Sequence, residues 1–157
     1  MSVEGLGRLM RRFEALPKEV KDDVRDIVEE TTLAIQRQAI QNAPAAGDML
    51  DNGFGYEKIN TGINQFIGAK IEPNGLAGTV FIEAGAGPLA IYVEFGTGHS
   101  AADYVPTLDP EFQAVARKYY VNGMGVLLKH PFLLPAWFQY QPTVVPKIKQ
   151  ALENIKL

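Results

Sequence analysis

The feature that most constrains this fold is a single apolar stripe along a long helical segment, residues 17 to 43. Pro17 suits the start of a helix, because the missing N–H has no partner at that position. Apolar residues then recur at steps of three and four: Val20, Val24, Ile27, Val28, Thr31, Ile35 and Ala39. The residue before Pro44 is biased away from helical geometry, so the helix should end by Ala43. Since this stripe must be covered, a sheet or a second helix has to pack on it.

The next part of the chain predicts a small antiparallel sheet. Apolar and polar residues alternate over Ile63–Glu72 with the period of a half-buried strand. The turn Pro73–Asn74–Gly75 is typical of a hairpin, and Leu76–Ala84 is expected to return as its partner. Residues 45 to 53 are interpreted as a loop and Phe54–Ile59 as a further strand. Three strands in meander order are the simplest expectation.

The end of the chain predicts one more helix, from about Thr143 to Lys156. Its inward face is expected to carry Val145, Ile148, Leu152 and Ile155. The predicted fold class is therefore α+β: a long N-terminal helix and a C-terminal helix packed on a small antiparallel β-sheet. The 157 residues suffice for one domain, so residues 1–157 are predicted to form a single one.

A short stretch from Pro88 to Gly98 has residues typical of helix boundaries at both ends. Pro88 favours a first helical position, and Gly96 favours the residue just past a helix end. The helical spacing between them predicts a short helix of about two turns, with a strand as the competing interpretation. Glu94 lies here among aromatic residues, where a charge needs a donor. A backbone N–H, Thr97 or a basic group from another subunit could supply it.

Composition excludes several function classes. The chain has no cysteine, which rules out disulfides and thiol catalysis. Its net charge of −3 gives no general reason to bind nucleic acid or an anionic membrane. No apolar run approaches the length that spans a bilayer, so no membrane partner is expected. Because of the net charge, specific nucleic-acid binding is not expected either. The glycine pairs and the two histidines lack phosphate-loop or metal-site spacing, and no cofactor or metal is predicted.

Two short motifs resemble the paired signature of a tailed-bacteriophage family. The first is Tyr92, Val93, Glu94, Phe95, Gly96, Thr97 and Gly98; the second is Pro131, Phe132, Leu133, Leu134, Pro135 and Ala136. The family consists of small neck or tail-completion proteins, often described as minor tail components. Ala43–Pro44 also matches its pattern, while Gly47–Leu50 resembles the next step without its Thr. The resemblance covers roughly residues 17 to 157, leaving 1–16 as an N-terminal extension and 99–125 as an insertion.

The resemblance implies a structural virion protein at the head–tail junction, acting by oligomeric assembly without catalysis or cofactors. The family pattern has a long N-terminal helix that ends in Ala-Pro, strands and a C-terminal helix, and the short helix predicted from the residue spacing lies at its Tyr-Val-Glu-Phe-Gly-Thr motif. The expected partners are a connector, tail tube or terminator protein and further copies of the chain in a ring. The expected location is the virion, and the host cytoplasm during assembly.

Aromatic residues near the motifs are candidates for an interface, because large aromatic side chains concentrate at the centres of interfaces. They are Tyr104, Tyr119, Tyr120, Trp137 and Phe138. For Trp137 and Phe138 a place in the core is the alternative interpretation.

Two other functions stay open at this point. The first is a small cytoplasmic enzyme that uses Glu94 and His99, which needs a pocket with a perturbed carboxylate. The second is a nucleic-acid-binding accessory protein that uses Arg8, Arg11 and Arg12. The arginines are more simply interpreted as a solvated face beside a run of acidic residues.

Overall fold

The computed structural model describes residues 8, 11–51, 55–86, 89–118 and 127–154. Its helices are α1 (Lys18–Asn42), α2 (Leu89–Phe95), α3 (Gly98–Tyr104), α4 (Pro110–Lys118), α5 (Leu133–Tyr140) and α6 (Val144–Glu153). Its strands are β1 (Met49–Asp51), β2 (Tyr56–Lys58), β3 (Ile67–Ile71) and β4 (Gly78–Ile82). The fold is α+β, as the sequence predicts.

The long helix follows its apolar stripe. Pro17 stands immediately before α1, and Ala43 leaves the helix in an extended conformation (φ −73°, ψ 145°) ahead of Pro44. Its buried residues are Val20, Val24, Thr31, Thr32, Ile35 and Ala39. Both strands β3 and β4 pack on α1, and so do helices α5 and α6. The prediction that a sheet or a second helix covers the stripe is confirmed, and both kinds of element do so.

The predicted three-stranded meander is wrong. Strand β1 pairs antiparallel with β2, and β3 pairs antiparallel with β4, giving two separate two-stranded sheets. The segment interpreted as a loop, residues 45–53, supplies β1. A 3₁₀ turn at Ile63–Phe66, with Ile63 buried, occupies the start of the predicted second strand. This turn redirects the chain between the two hairpins, so β2 does not pair with β3. Phe54 lies outside the described residues.

The C-terminal helix lies chiefly on α1 rather than on the sheet, and its predicted inward face is wrong at two of the three described positions. Val145 is 56% exposed and Leu152 38% exposed, whereas Ile148 is partly buried. Ala151, three residues after Ile148, is buried, so the inward face is rotated from the predicted one. Ile155 lies outside the described residues.

The buried side chains form two clusters. The main cluster consists of Ile35, Ala39, Ala43, Leu50, Ile63, Ile67, Ala90, Val93, Phe132 and Ala136. The second consists of Phe95, Ala101, Val105, Leu108, Ala116 and Leu134. The short helix α2 joins them, because Val93 belongs to the first cluster and Phe95 to the second. Helix α5 does the same through Phe132 before it and Leu134 within it.

The segment 99–125 contributes to the core. Helix α4 begins at Pro110 and is described as far as Lys118. Four residues of this segment are buried in the second cluster: Ala101, Val105, Leu108 and Ala116. Its interpretation as an insertion relative to the family pattern stays a prediction.

Candidate functional site

Helix α2 forms where the sequence predicts a short helix, and its end is fixed by glycine. Gly96 follows the last helical residue with φ +74°, a backbone conformation that favours glycine. A Cβ at this position would lie 2.8 Å from the backbone nitrogen of Lys129. Gly96 is therefore required both by its backbone angle and by the close passage of a second chain segment. Pro88 lies outside the described residues.

Glu94, the acidic residue of the first motif, binds the backbone of the second. Its Oε2 accepts the N–H groups of Phe132 at 2.8 Å and Leu133 at 2.9 Å. Its Oε1 accepts the N–H of Leu134 at 3.0 Å. The N–H groups at the start of a helix have no partner within it, so they need an acceptor from elsewhere. Glu94 thus caps α5 from another helix, and of the three donors left open by the sequence the backbone N–H is the one used.

Burial dominates the electrostatics of this carboxylate. Glu94 is only 4% exposed, and this burial raises the pKa of its carboxyl group above the ordinary value. The three backbone N–H groups oppose that rise, because they stabilise the charged form. The N-terminus of α5 adds a favourable dipole for negative charge. Burial and, to a smaller extent, the charge of Glu94 raise the pKa of Tyr104 to about 12.

A second set of backbone contacts fastens the end of the first motif to the segment that leads into the second. Thr97 donates its N–H to the carbonyl of Leu127 at 2.8 Å, and Leu127 returns an N–H to Thr97 Oγ1 at 2.8 Å. His130 donates its N–H to the carbonyl of Val93 at 2.6 Å. Sequence patterns carry no signal for these contacts, because their partners on the 127–130 side are main-chain atoms.

The second motif lies against the main core. Phe132 and Ala136 are completely buried, Pro131 is partly buried and Pro135 is exposed. The carbonyl of Phe132 accepts a hydrogen bond from Asn42 Nδ2 at 3.3 Å, at the last residue of α1. The motif thus joins the end of the long helix to α2.

The structure brings the two predicted motifs together, and most of their side chains point inward. In the first motif Val93, Glu94, Phe95, Gly96 and Gly98 are buried, and Tyr92 and Thr97 are partly buried. What these residues do for assembly stays a prediction. The hydrogen bonds fix the positions of three segments relative to one another: the end of α1, helix α2 and residues 127–136.

The candidate interface aromatics have different environments. Trp137 is 39% exposed and Phe138 45% exposed, so neither is a full core residue. Phe138 packs edge to face on Phe112, with 5.9 Å between ring centroids. Tyr104 is partly buried, and Lys129 Nζ lies 4.1 Å from its ring centroid. Tyr119 and Tyr120 lie outside the described residues.

The sequence did not predict the apolar groove that lies beside Trp137. It has a volume of about 610 Å³ and is bounded by α1, β4 and the helices α4, α5 and α6. Thr31, Val115, Trp137 and Val145 are among its lining residues, and Glu111 is the one charged residue among those of the described lining. Thr31 is 6% exposed, and its Oγ1 has no hydrogen-bond partner in the part of the chain that the structure describes. One sequence signal for the groove was available in Val145. This apolar residue was predicted to lie in the core, but it is exposed on α6.

Of the residues named for the two open alternatives, Glu94 lies within this arrangement and the others are exposed. His99 and His130 are exposed, whereas both oxygens of Glu94 are engaged by backbone N–H groups. Arg8, Arg11 and Arg12 are exposed too. The described ranges contain no group of three or more His, Cys, Asp or Glu residues placed to hold a metal ion. Among the helices described, none has the length and apolar character needed to cross a membrane.

Fold and site together define a small α+β protein in which residues of the two motifs hold the backbone in place. The family described as "Bacteriophage HK97-gp10, putative tail-component" matches residues 7–96, more than half of the chain. The chain belongs to this HK97-gp10-like family of phage tail components. The matched region begins inside the segment interpreted as an N-terminal extension and ends at Gly96, before the second motif. Comparison with curated proteins and with solved structures gave no significant match.

Proposed function

We propose that this chain is a structural virion protein at the head–tail junction, a neck or tail-completion component. It acts without catalysis, by assembling into an oligomeric ring that docks on neighbouring virion proteins such as a connector, tail tube or terminator. It is present in the host cytoplasm during assembly and in the finished virion. Membership of a phage tail-component family supports this proposal.

The observation that carries the proposal is the engagement of Glu94. A catalytic carboxylate must reach a substrate, but this one accepts three backbone N–H groups and is almost fully buried. The most distinctive residue of the signature therefore serves the shape of the subunit. A protein whose signature preserves shape is suited to presenting surfaces to its neighbours.

Exposed apolar side chains support the assembly part of the proposal. Val115, Trp137, Phe138 and Val145 are between 39% and 56% exposed, and all four lie on helices α4 to α6. Contiguous exposed apolar surface of this kind marks interaction sites in soluble proteins. The chain's modest net charge of −3 does not oppose association.

Deletion of the gene in its phage tests the proposed function. We expect DNA-filled heads and separate tails in the lysate, and mass spectrometry should detect the protein in purified wild-type virions. Complementation with Glu83→Gln, an exposed carboxylate, should restore joining, whereas Glu94→Gln should restore it poorly. Normal virions from the deletion phage, or the absence of the protein from virions, would contradict the proposal.

A further inference from the structure

Hydrogen bonds at the two ends of the β3–β4 ladder show which way the backbone groups of β4 point. Glu72 donates its N–H to the carbonyl of Ala77 at 2.9 Å, and Glu83 donates its N–H to the carbonyl of Phe66 at 2.7 Å. Both pairs continue the register of the ladder. Hydrogen-bonded and non-hydrogen-bonded pairs alternate in an antiparallel ladder. Every second residue of β4 therefore directs its N–H and C=O groups towards β3.

The remaining residues of β4 form an open edge. The alternation assigns Thr79 and Phe81 to the bonds with β3, so the backbone groups of Gly78, Val80 and Ile82 point away from it. In the part of the chain that the structure describes, β4 pairs with β3 alone, and no hydrogen bond reaches these outward groups. An edge of this kind is a template for a further strand.

Strand β4 lacks the residues that usually protect an edge. Its sequence, Gly-Thr-Val-Phe-Ile, contains no charge and no proline, and its β-branched and aromatic residues favour strands. The outer edge of β3 is better protected, because the carbonyl of Ile67 accepts a hydrogen bond from Gln36 Nε2 of α1 at 3.1 Å. Strand β3 also carries Lys70. Of the two edges, that of β4 is the one open to pairing.

The apolar groove lies beside this open edge. Its described lining includes Gly78, Thr79 and Val80 of β4 but no residue of β3. Gly78 is exposed, and a Cβ at this position would meet the side chain of Thr32, so the strand edge lies directly on α1. A strand added to β4 would therefore cover the groove.

We propose that β4 of one copy pairs antiparallel with β4 of a second copy, about a two-fold axis at Val80. This axis places Gly78 opposite Ile82 of the second copy, and Val80 opposite its own equivalent. Only this register pairs all the outward N–H and C=O groups of the edge. On the exposed face it places Thr79 opposite Phe81 of the second copy, and a β-branched residue opposite an aromatic one is a favourable cross-strand pair.

A second copy suits the groove as well as the edge. Residues 78, 80 and 82 share the face of β4 that lies towards α1. Ile82 of the second copy thus brings an apolar side chain to Gly78, the edge position that has none. Because β4 is uncharged, identical strands do not repel each other. The contact uses both open edges and ends at two copies, so the ring of the proposed function has to use other surfaces.

Amide hydrogen exchange tests the pairing residue by residue, with sedimentation across concentration to locate the monomer and the dimer. The N–H groups of Gly78, Val80 and Ile82 should exchange fast in the monomer and slowly in the dimer. Those of Thr79 and Phe81 should be slow in both states, because they bond β3. Outward amides that are slow in the monomer or fast in the dimer would overturn the proposal, as would a protein that is monomeric at every concentration.

Proline substitution tests whether this edge carries the contact. Val80→Pro removes the N–H at the two-fold axis from both copies, so the dissociation constant of the dimer should rise about tenfold or more. Ala69→Pro is the matched control, since Ala69 lies opposite Val80 on β3 and its N–H points away from β4. It should leave dimerisation unchanged. Thermal unfolding checks that both variants fold. Dimerisation of folded Val80→Pro at the wild-type concentration would contradict the pairing.

Disulfide trapping needs no proline variant, and the chain has no cysteine of its own. In the proposed register Thr79 and Phe81 of the second copy form a non-hydrogen-bonded pair, with Cα atoms about 4.5 Å apart. This distance suits a disulfide. A mixture of Thr79→Cys and Phe81→Cys should therefore give heterodimers on mild oxidation, faster than either variant alone. Lys70→Cys replaces Thr79→Cys in the control mixture, because β3 lies roughly 10 Å from β4 of the second copy. Equal crosslinking in the two mixtures would refute the register.

These results are independent of the proposed function, which gene deletion and the protein content of virions decide. If deletion separates heads from tails but the exchange pattern and the trapping both fail, the edge pairing is wrong and the proposed function stands. If the outward amides slow only when purified virion proteins are added, the strand that covers the edge comes from another protein, and the two-fold pairing is wrong.

Discussion

Glu94 and the groove beside Trp137 treat their polar groups in opposite ways. Around Glu94 a buried carboxylate and three N–H groups satisfy one another within one chain. In the groove, Thr31 Oγ1 has no hydrogen-bond partner within the described residues, and Trp137 and Val145 remain partly exposed. The first region is complete in a single copy, whereas the second leaves groups unmatched. On the proposed function, the two motifs hold the shape of each copy, and the groove belongs to a surface for assembly.

The largest expected effect comes from Glu94→Gln. The amide places an N–H₂ group where a carboxylate oxygen accepts a backbone N–H, so one donor of α5 is left facing another donor. We expect a loss of about 2–3 kcal/mol in the free energy of unfolding, measured with denaturant. The control Glu83→Gln removes an exposed charge and should change this free energy by less than about 0.5 kcal/mol. Equal free energies of unfolding for the two variants would show that the Glu94 cap does not stabilise the fold.

A methyl group at Gly96 should have the next largest effect. Gly96→Ala meets both a left-handed backbone angle and the Lys129 nitrogen at 2.8 Å. We expect a loss of about 2–3 kcal/mol, of which about 1–2 kcal/mol is conformational. Gly47→Ala isolates the conformational part, since Gly47 has φ +92° but no atom closer than 3.8 Å to the added group. If Gly47→Ala is as costly as Gly96→Ala, the close passage of residues 127–129 is unimportant.

Alkaline pH should weaken the contact between the first motif and Tyr104. The pKa of Tyr104 is raised to about 12 in the folded protein, against an ordinary value of 10.0. A raised pKa means that the folded state keeps the Tyr104 proton up to a higher pH than the unfolded state does. Its stabilising contribution is therefore complete below pH 10 and is lost as the pH rises towards 12. Tyr104→Phe should flatten the dependence of stability on pH in this window; an unchanged slope would show that Tyr104 titrates normally.

The smallest effect on folding is expected at the groove. Val145→Ser replaces a side chain that is 56% exposed, so the free energy of unfolding should change by less than about 0.5 kcal/mol. The same substitution should reduce self-association measured by sedimentation. A large loss of stability without any change in association would place Val145 in the subunit core and remove the contrast between the two regions.

The sequence predicted those parts of the molecule that local chemistry determines. The apolar stripe of α1, the prolines at 17 and 44, and Gly96 each act within a few residues, and the structure confirms them. The aromatic neighbours of Glu94 in the sequence also indicated that its charge needs a donor. The identity of that donor could not be predicted, because it is the backbone of residues 132–134, which no side-chain pattern reports.

Strand pairing and helix orientation could not be predicted from the sequence for a related reason. The 3₁₀ turn at Ile63–Phe66 has the order apolar, polar, polar, apolar, and the alternating residues begin only at Ile67. The sequence therefore carried a local sign of the turn, but no sign of which strands pair. Likewise α6 buries Ala151, while hydrophobicity alone favoured Val145 and Leu152, which are exposed. The groove follows from that rotation and was therefore not predicted.

Amide hydrogen exchange of the free and the self-associated protein tests the central claim most directly. The amides of Phe132, Leu133 and Leu134 should exchange slowly in both states, because Glu94 binds them within one subunit. The amides of groove-lining residues, such as Leu76, Ala77 and Val145, should slow only on association. Fast exchange at 132–134 in the free protein, slowing only on association, would contradict the account, since it would mean that the signature is completed at the interface.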